Sequence, residues 1–332
     1  MTRLYCCLLV YRRSLPLEQQ LSGLIVKDQS GFFDVETEDG SIYTSRLRGR
    51  LMEEAKESDI AAIGDRVKIQ ILEDGTGAIE EVLPRETVLS RAMRTTGRRG
   101  VGQAEREQVI IANANQMFIV VAAAQPTPNF KLLDRMLVAG EASEIDDIII
   151  VVNKIDLGIP AKLDKRLKDY ARIGYPILYT SAVLPQGIDE LRALLKDRIS
   201  VFTGPSGVGK TSLLNLIQPG LGRAVKAISA FSQEGVHTTR DSALIKLEMG
   251  GYLADTPGMR GMKVWDIEPD ELDDYFVEIA EHVAQCRFGD CSHTNEPGCA
   301  VLQAIKSGDI SRHRYKNFVT LREELKDTYW VY

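Results

Sequence analysis

The stretch that decides the fold is Gly204-Pro205-Ser206-Gly207-Val208-Gly209-Lys210-Thr211, followed by Ser212. It satisfies G-x-x-x-x-G-K-[ST] in full. The run before it, ISVFT, is apolar and strand-like; the run after it, SLLNLI, is helix-like. A strand, a glycine turn and a helix in that order point backbone N–H groups at one spot, where the helix dipole also favours an anion. Lys210 adds a positive charge suited to β- and γ-phosphates, and the Thr211 hydroxyl can ligate Mg²⁺.

Three further segments extend the reading to a guanine nucleotide. Asn153-Lys154-Ile155-Asp156 ends the strand-like run DIIIVV. An Asp156 carboxylate can accept from both the ring N–H and the exocyclic amine of guanine, a donor pair that adenine lacks, so the wrong base leaves the carboxylate unpaired. Thr180-Ser181-Ala182 ends another strand-like run, where Ser181 and Ala182 can brace the base. Asp255-Thr256-Pro257-Gly258 follows GGYLA; Asp255 suits a Walker-B-type carboxylate on Mg²⁺, and the Gly258 N–H can meet the γ-phosphate. Between Thr211 and Asp255 lies Gly235–Asp241, GVHTTRD. A hydroxyl of Thr238 or Thr239, with Thr239 preferred, can complete the Mg²⁺ shell when the γ-phosphate is present. An ordinary Ras-like chain meets its phosphate loop first. Here the segments at 153 and 180 precede those at 204, 237 and 255, which is a circular permutation.

Around this nucleus the chain divides into an extension at 1–21, a small barrel with a basic loop at 22–106, an α/β domain at 107–265 and a helical zinc-binding domain at 266–332. Five short runs, GLIV, FFDVET, SIYTSRL, DRVKIQIL and AIEEVL, predict an OB-fold barrel, with an SH3-like barrel behind it. Residues 85–106 hold six arginines against two glutamates among glycines, which reads as a flexible basic loop or linker. From 107 onward, apolar strands alternate with helix-like stretches at Leu132–Ser143, Pro160–Ile173 and Gly187–Lys196, the pattern of a parallel sheet covered on both faces.

Cys286, Cys291, His293 and Cys299 form C-x4-C-x-H-x5-C. Three thiolates and an imidazole make a closed tetrahedral set, so a structural Zn²⁺ is expected; His282 is not taken as a ligand. Five cysteines in this clustering do not resemble a secreted disulfide framework. The 332 residues carry a net charge of −6, which confines any nucleic-acid surface to a local patch. No apolar run approaches a membrane span of about 18–20 residues.

With these pieces together, the sequence resembles the circularly permuted RsgA (YjeQ) GTPases of ribosomal small-subunit biogenesis, over residues 22 to 325. The permuted order, the HTT switch, the Cys3His spacing, the barrel, and QVIIANANQMFIVVAA followed by LLDRMLVAGE carry the resemblance. It implies a slow GTPase that uses GTP/GDP, Mg²⁺ and one structural Zn²⁺. It further implies binding to the 30S ribosomal subunit and its 16S-type rRNA late in maturation, and release on hydrolysis. A cytoplasmic monomer without membrane attachment is expected. Ras-like enzymes orient the attacking water with a glutamine where this chain has Met259, so His237 is the catalytic candidate beside Thr238, Thr239 and Lys210. Some related GTPases bind K⁺ through an asparagine where this chain has Gly207. The competing readings are an RNA-binding module with a vestigial nucleotide domain, against which Lys210, Thr211 and Asp255 argue, and an ATP-dependent kinase, against which Asp156 argues.

Overall fold

The structure, a computed structural model, describes residues 20–54, 59–93, 106–225, 241–255 and 267–329. The barrel is built from β1 (Gln20–Gln29), β2 (Phe32–Thr37), β3 (Ile42–Leu47), β4 (Arg66–Ile71) and β5 (Gly77–Val82), with α1 (Gly49–Glu54) between β3 and β4. Pairing runs β1–β2–β3–β5–β4 and closes from β4 back to β1; β3 and β5 are parallel. That closure, with a helix after the third strand, is the OB-fold. Its core is Ile25, Phe33, Val35, Val67, Ile69 and Ile79, the inward residues of alternating strands.

The described ends of the basic segment, residues 85–93 and 106, depart from the expected loop, while residues 94–105 lie outside the described residues. Val88–Met93 forms β6, antiparallel to β7 (Arg106–Ala112). The arginines obscured a real alternation: Leu89, Val109 and Ile111 are buried, and burying such side chains outweighs the glycine and charge signals of the segment. Strand β7 straddles the 106/107 division drawn from sequence. Arg85 forks onto buried Asp65, both contacts at 2.8 Å, and pins this connection to the barrel.

The central sheet contains β8 (Gln116–Ala122), β9 (Asp147–Asn153), β10 (Ile177–Tyr179), β11 (Ile199–Thr203), β12 (Asp241–Lys246) and β13 (Tyr252–Asp255), in the spatial order β10-β9-β8-β11-β13-β12. All neighbours are parallel except β12 against β13. Odd and even residues of β8 serve different cores. Met117, Ile119 and Val121 pack with α2 (Phe130–Ala142) and α3 (Ala161–Arg172); Phe118, Val120 and Ala122 pack with α4 (Ile188–Leu195) and α5 (Lys210–Ile217). Burial on both faces explains the unbroken apolar runs. Strand β12, not anticipated from sequence, also pairs with barrel strand β1 through Lys27↔Ala243, Asp28↔Ser242 and Gln29↔Asp241. One continuous sheet of eleven strands results.

The C-terminal domain comprises α6 (Val277–Val283), α7 (Ala300–Ser307) and α8 (Arg312–Tyr329). Its core of Leu272, Phe276, Ile279, Val301 and Phe318 reaches across to Val138 of α2. The domain is therefore packed against the α2–α3 face of the central unit.

Candidate functional site

The phosphate loop leaves β11 at the centre of the sheet and enters α5 at Lys210. Two glycines are dictated by geometry. At Gly204 (φ +139°) a Cβ would lie 2.3 Å from the Val120 carbonyl oxygen, and at Gly209 (φ +95°) 2.3 Å from Asn153 Nδ2. Only a residue without Cβ allows both that backbone shape and that approach. Lys210 Nζ donates to the Gly204 and Pro205 carbonyls at 2.6 and 2.9 Å, folding over the loop it belongs to. Val208 is buried, whereas Ser206, Gly207 and Ser212 face outward and Thr211 is half-buried in the first turn of α5.

Strand β9 delivers Asn153 to the same place. Its fully buried amide donates Nδ2 to Val208 O at 2.8 Å and accepts from Thr180 Oγ1 at 3.2 Å, so one side chain ties three loops together. Lys154, in left-handed backbone, donates Nζ to Gly207 O at 2.7 Å and also reaches Gln125 O. Asp156 follows in a short 3-10 turn, and its Oδ1 accepts from Ser181 Oγ at 2.5 Å. Ser181 Oγ accepts in turn from the Val183 and Leu184 N–H groups at 3.2 and 3.1 Å. Ser181 therefore holds the Asp156 carboxylate in one orientation. Half-buried Ala182 follows it, within a loop closed by the Ser181↔Gln186 bridge. The register Phe202↔Asp255 sets Asp255 at the end of β13, beside the strand that opens into the phosphate loop. His237, Thr238, Thr239, Gly258 and Met259 lie outside the described residues, so the expected switch threonines, the γ-phosphate amide and the water-orienting histidine have no geometry here.

A second site lies in the C-terminal domain. One ligand atom from each of Cys286, Cys291, His293 and Cys299 falls within 4.8 Å of all the others. A tetrahedral Zn²⁺ with bonds of about 2.3 Å to sulfur and about 2.1 Å to nitrogen requires S···S edges of about 3.8 Å and S···N edges of about 3.6 Å. Cys286 and Cys299 stand 4.0 Å apart, and His293 Nδ1 is 3.6 Å from each sulfur. The donor set fits that ion. Cys299 also caps α7, and burial raises its thiol pKa while the Leu302 N–H it accepts at 3.5 Å offsets part of that rise. Burial pushes the Cys291 thiol up to about 12, so metal uptake there displaces a proton. The Ser292 hydroxyl and neighbouring N–H groups hold Glu296 down to about 2, and that carboxylate shapes the loop between His293 and Cys299.

Comparison with known proteins places the chain in a family. The RsgA GTPase family model matches residues 82–265 and the RsgA N-terminal domain model residues 22–79. The chain belongs to the RsgA GTPase family. A Gemmatimonas aurantiaca protein named small ribosomal subunit biogenesis GTPase RsgA is 40% identical over 306 residues, spanning 92% of this chain and 97% of the relative. Its Chlorobaculum tepidum namesake is 37% identical over 315 residues, spanning 94% and 100%. Among solved structures, YjeQ from Thermotoga maritima superposes with a TM-score of 0.72 at 35% identity, covering 92% of this chain and 99% of its own. YloQ, described as a circularly permuted GTPase, gives a TM-score of 0.70 at 31% identity, covering 93% and 96%.

For an RsgA-family chain, the residues that sequence reasoning singled out around the phosphate loop are brought together where they are described. What it missed are residues that act on them from a distance, such as Gln125 beside Lys154 and Asp273 beside His293. Neither lies in a recognisable pattern.

Proposed function

We propose that this chain hydrolyses GTP as a small ribosomal subunit biogenesis factor, binding the rRNA of the 30S particle and leaving it after hydrolysis. The observation that carries the nucleotide part is the joining of Asn153 to the Val208 carbonyl, which sets a guanine-reading carboxylate at a fixed distance from a phosphate cradle. The names of the curated relatives support the ribosomal part.

The backbone N–H groups of residues 204–212 other than Pro205, and the Lys210 ammonium, bind the α-, β- and γ-phosphates. Asp156 reads the guanine edge while Ser181 and Ala182 brace it. Thr211, Thr239 and Asp255 would hold Mg²⁺, which would supply positive charge to offset the charge developing on the phosphates. Water attacks the γ-phosphorus, the bond to the β,γ-bridging oxygen breaks, and GDP and phosphate leave. His237 orients that water, and Gly258 N–H steadies the γ-phosphate. Met259 offers the water no useful hydrogen bond, so turnover is slow until the subunit supplies the rest of the geometry. The barrel, the basic segment 85–106 and the C-terminal domain contact rRNA, where arginines track phosphates and stack on unpaired bases. The working form is a cytoplasmic monomer. Among the described residues no helix is long and apolar enough to cross a membrane.

The test is GTP turnover by the full chain, with and without purified small subunits. Stimulation by subunits, with ATP untouched, is the expected result. Tight subunit binding without any turnover would instead mark a vestigial nucleotide domain.

A further inference from the structure

Segment 267–276 directly precedes the C-terminal helices, and it reaches the zinc-ligand cluster by two polar contacts. Asp273 Oδ2 lies 2.9 Å from His293 Nε2. The imidazole is fully buried and the Asp273 side chain only 14% exposed. Asp270 meets Arg322 at 2.7 Å, and Arg322 also donates to Ser292 O at 2.7 Å. Leu272 and Phe276 of the same segment are fully buried in the domain core.

The two imidazole nitrogens have different partners. Nδ1 faces the Cys286 and Cys299 sulfurs at 3.6 Å. Nε2 faces only the Asp273 carboxylate among its described polar contacts. A ring whose Nδ1 gives its lone pair to a metal must carry its proton on Nε2, and that N–H needs an acceptor once water is excluded. The His293 backbone is equally constrained. It sits at φ +58°, and its carbonyl accepts from Tyr315 Oη at 2.8 Å. The ring is therefore aimed from both ends.

We propose that Asp273 is the outer-sphere partner of the zinc site. It selects the tautomer that presents Nδ1 to the metal, and it fastens residues 267–276 to the metal centre. Zinc binding and the placement of residues 267–276 are then one event. The inference rests on the Cys3His reading of the site and goes beyond the ligands themselves.

Zinc retention by the full chain, measured by competition with a chromogenic chelator, tests this. Asp273→Ala should weaken zinc binding about 10–100-fold, in the range expected for loss of an outer-sphere partner. Asp273→Asn keeps an acceptor but not the charge and should fall between that variant and the parent. Asp270→Ala is the matched control, because it removes a contact of the same segment without touching His293; it should stay near the parent. Equal weakening by Asp270→Ala and Asp273→Ala would overturn the proposal, since packing of the segment alone would then explain both. Parent-like zinc affinity in Asp273→Ala would also overturn it. Nitrogen chemical shifts of His293 in the zinc-loaded parent give a second readout: Nε2 protonated and Nδ1 metal-bound is expected, and the reverse contradicts the assignment. Loss of the zinc in Cys291→Ser shows separately that the Cys3His reading holds, so failure of that reading is distinguishable.

Discussion

Arg314 of α8 donates Nη1 to Asp134 Oδ1 of α2 at 2.7 Å, with both side chains only 1% exposed. The same guanidinium forks onto Glu278 of α6 through Nε and Nη2 at 2.7 and 2.9 Å. Asp134 further accepts from Tyr170 Oη at 2.6 Å and Asn317 Nδ2 at 2.5 Å. One cation and two anions are thus buried where the C-terminal domain meets the central unit. Replacing Arg314 with Leu leaves two carboxylates uncompensated, and about 3–5 kcal/mol of stability should be lost. Urea unfolding followed by circular dichroism measures it; a loss below about 1 kcal/mol would show that the network does not hold the domains together.

Ser181 holds Asp156 by a hydrogen bond to a charged acceptor, an interaction worth about 1.5–3 kcal/mol. Ser181→Ala should therefore weaken GDP binding about ten- to hundredfold while leaving the fold intact. Titration with a fluorescent GDP analogue reads the change. Affinity equal to the parent's would mean that Asp156 is held in place without the serine.

His237→Ala should lower subunit-stimulated hydrolysis by about 10²–10⁴-fold, the range of a lost proton-transfer or water-orienting group. Nucleotide affinity should barely change. Stimulated turnover at the parent's rate would take His237 out of the mechanism.

His313 packs edge-on against Phe130, ring centroids 5.3 Å apart, and burial, reinforced by nearby Arg166, lowers its pKa below the ordinary 6.5. The unfolded chain then binds a proton that the folded chain refuses, so stability falls as pH drops through and below about 6.5 and is retained above it. Comparing unfolding midpoints at pH 7.5 and 5.5 isolates the effect. The parent should lose more stability on acidification than His313→Gln, and identical losses would refute the assignment.

Much of the nucleotide site is legible in sequence because each part is contiguous. The phosphate loop, NKID and TSA each lie within a few residues at the end of an apolar strand, and the structure brings those three segments together. The five barrel strands are legible for a similar reason, since Gly and Asp punctuate them. Strand β12 escaped notice because DSALIK is short and lacks strict alternation. Strand β6 was masked by the arginines around it. The Asp134–Glu278–Arg314 cluster and the Asp273–His293 pair depend on groups far apart along the chain, and no local spacing encodes which distant carboxylate a buried cation will meet. The Cys3His ligands could be read; the carboxylate behind them could not.

The hydrogen bonding between β1 and β12 has a practical corollary. Excising the barrel to obtain a minimal catalytic fragment would strip β12 of its outer neighbour and leave a row of bare amides and carbonyls, an invitation to edge-to-edge self-association. It would also deprive Lys246 of Glu36, its ionic partner on β2. Dissection by truncation at residue 82 should thus produce material that clumps, and its loss of activity would say nothing about what the barrel recognises.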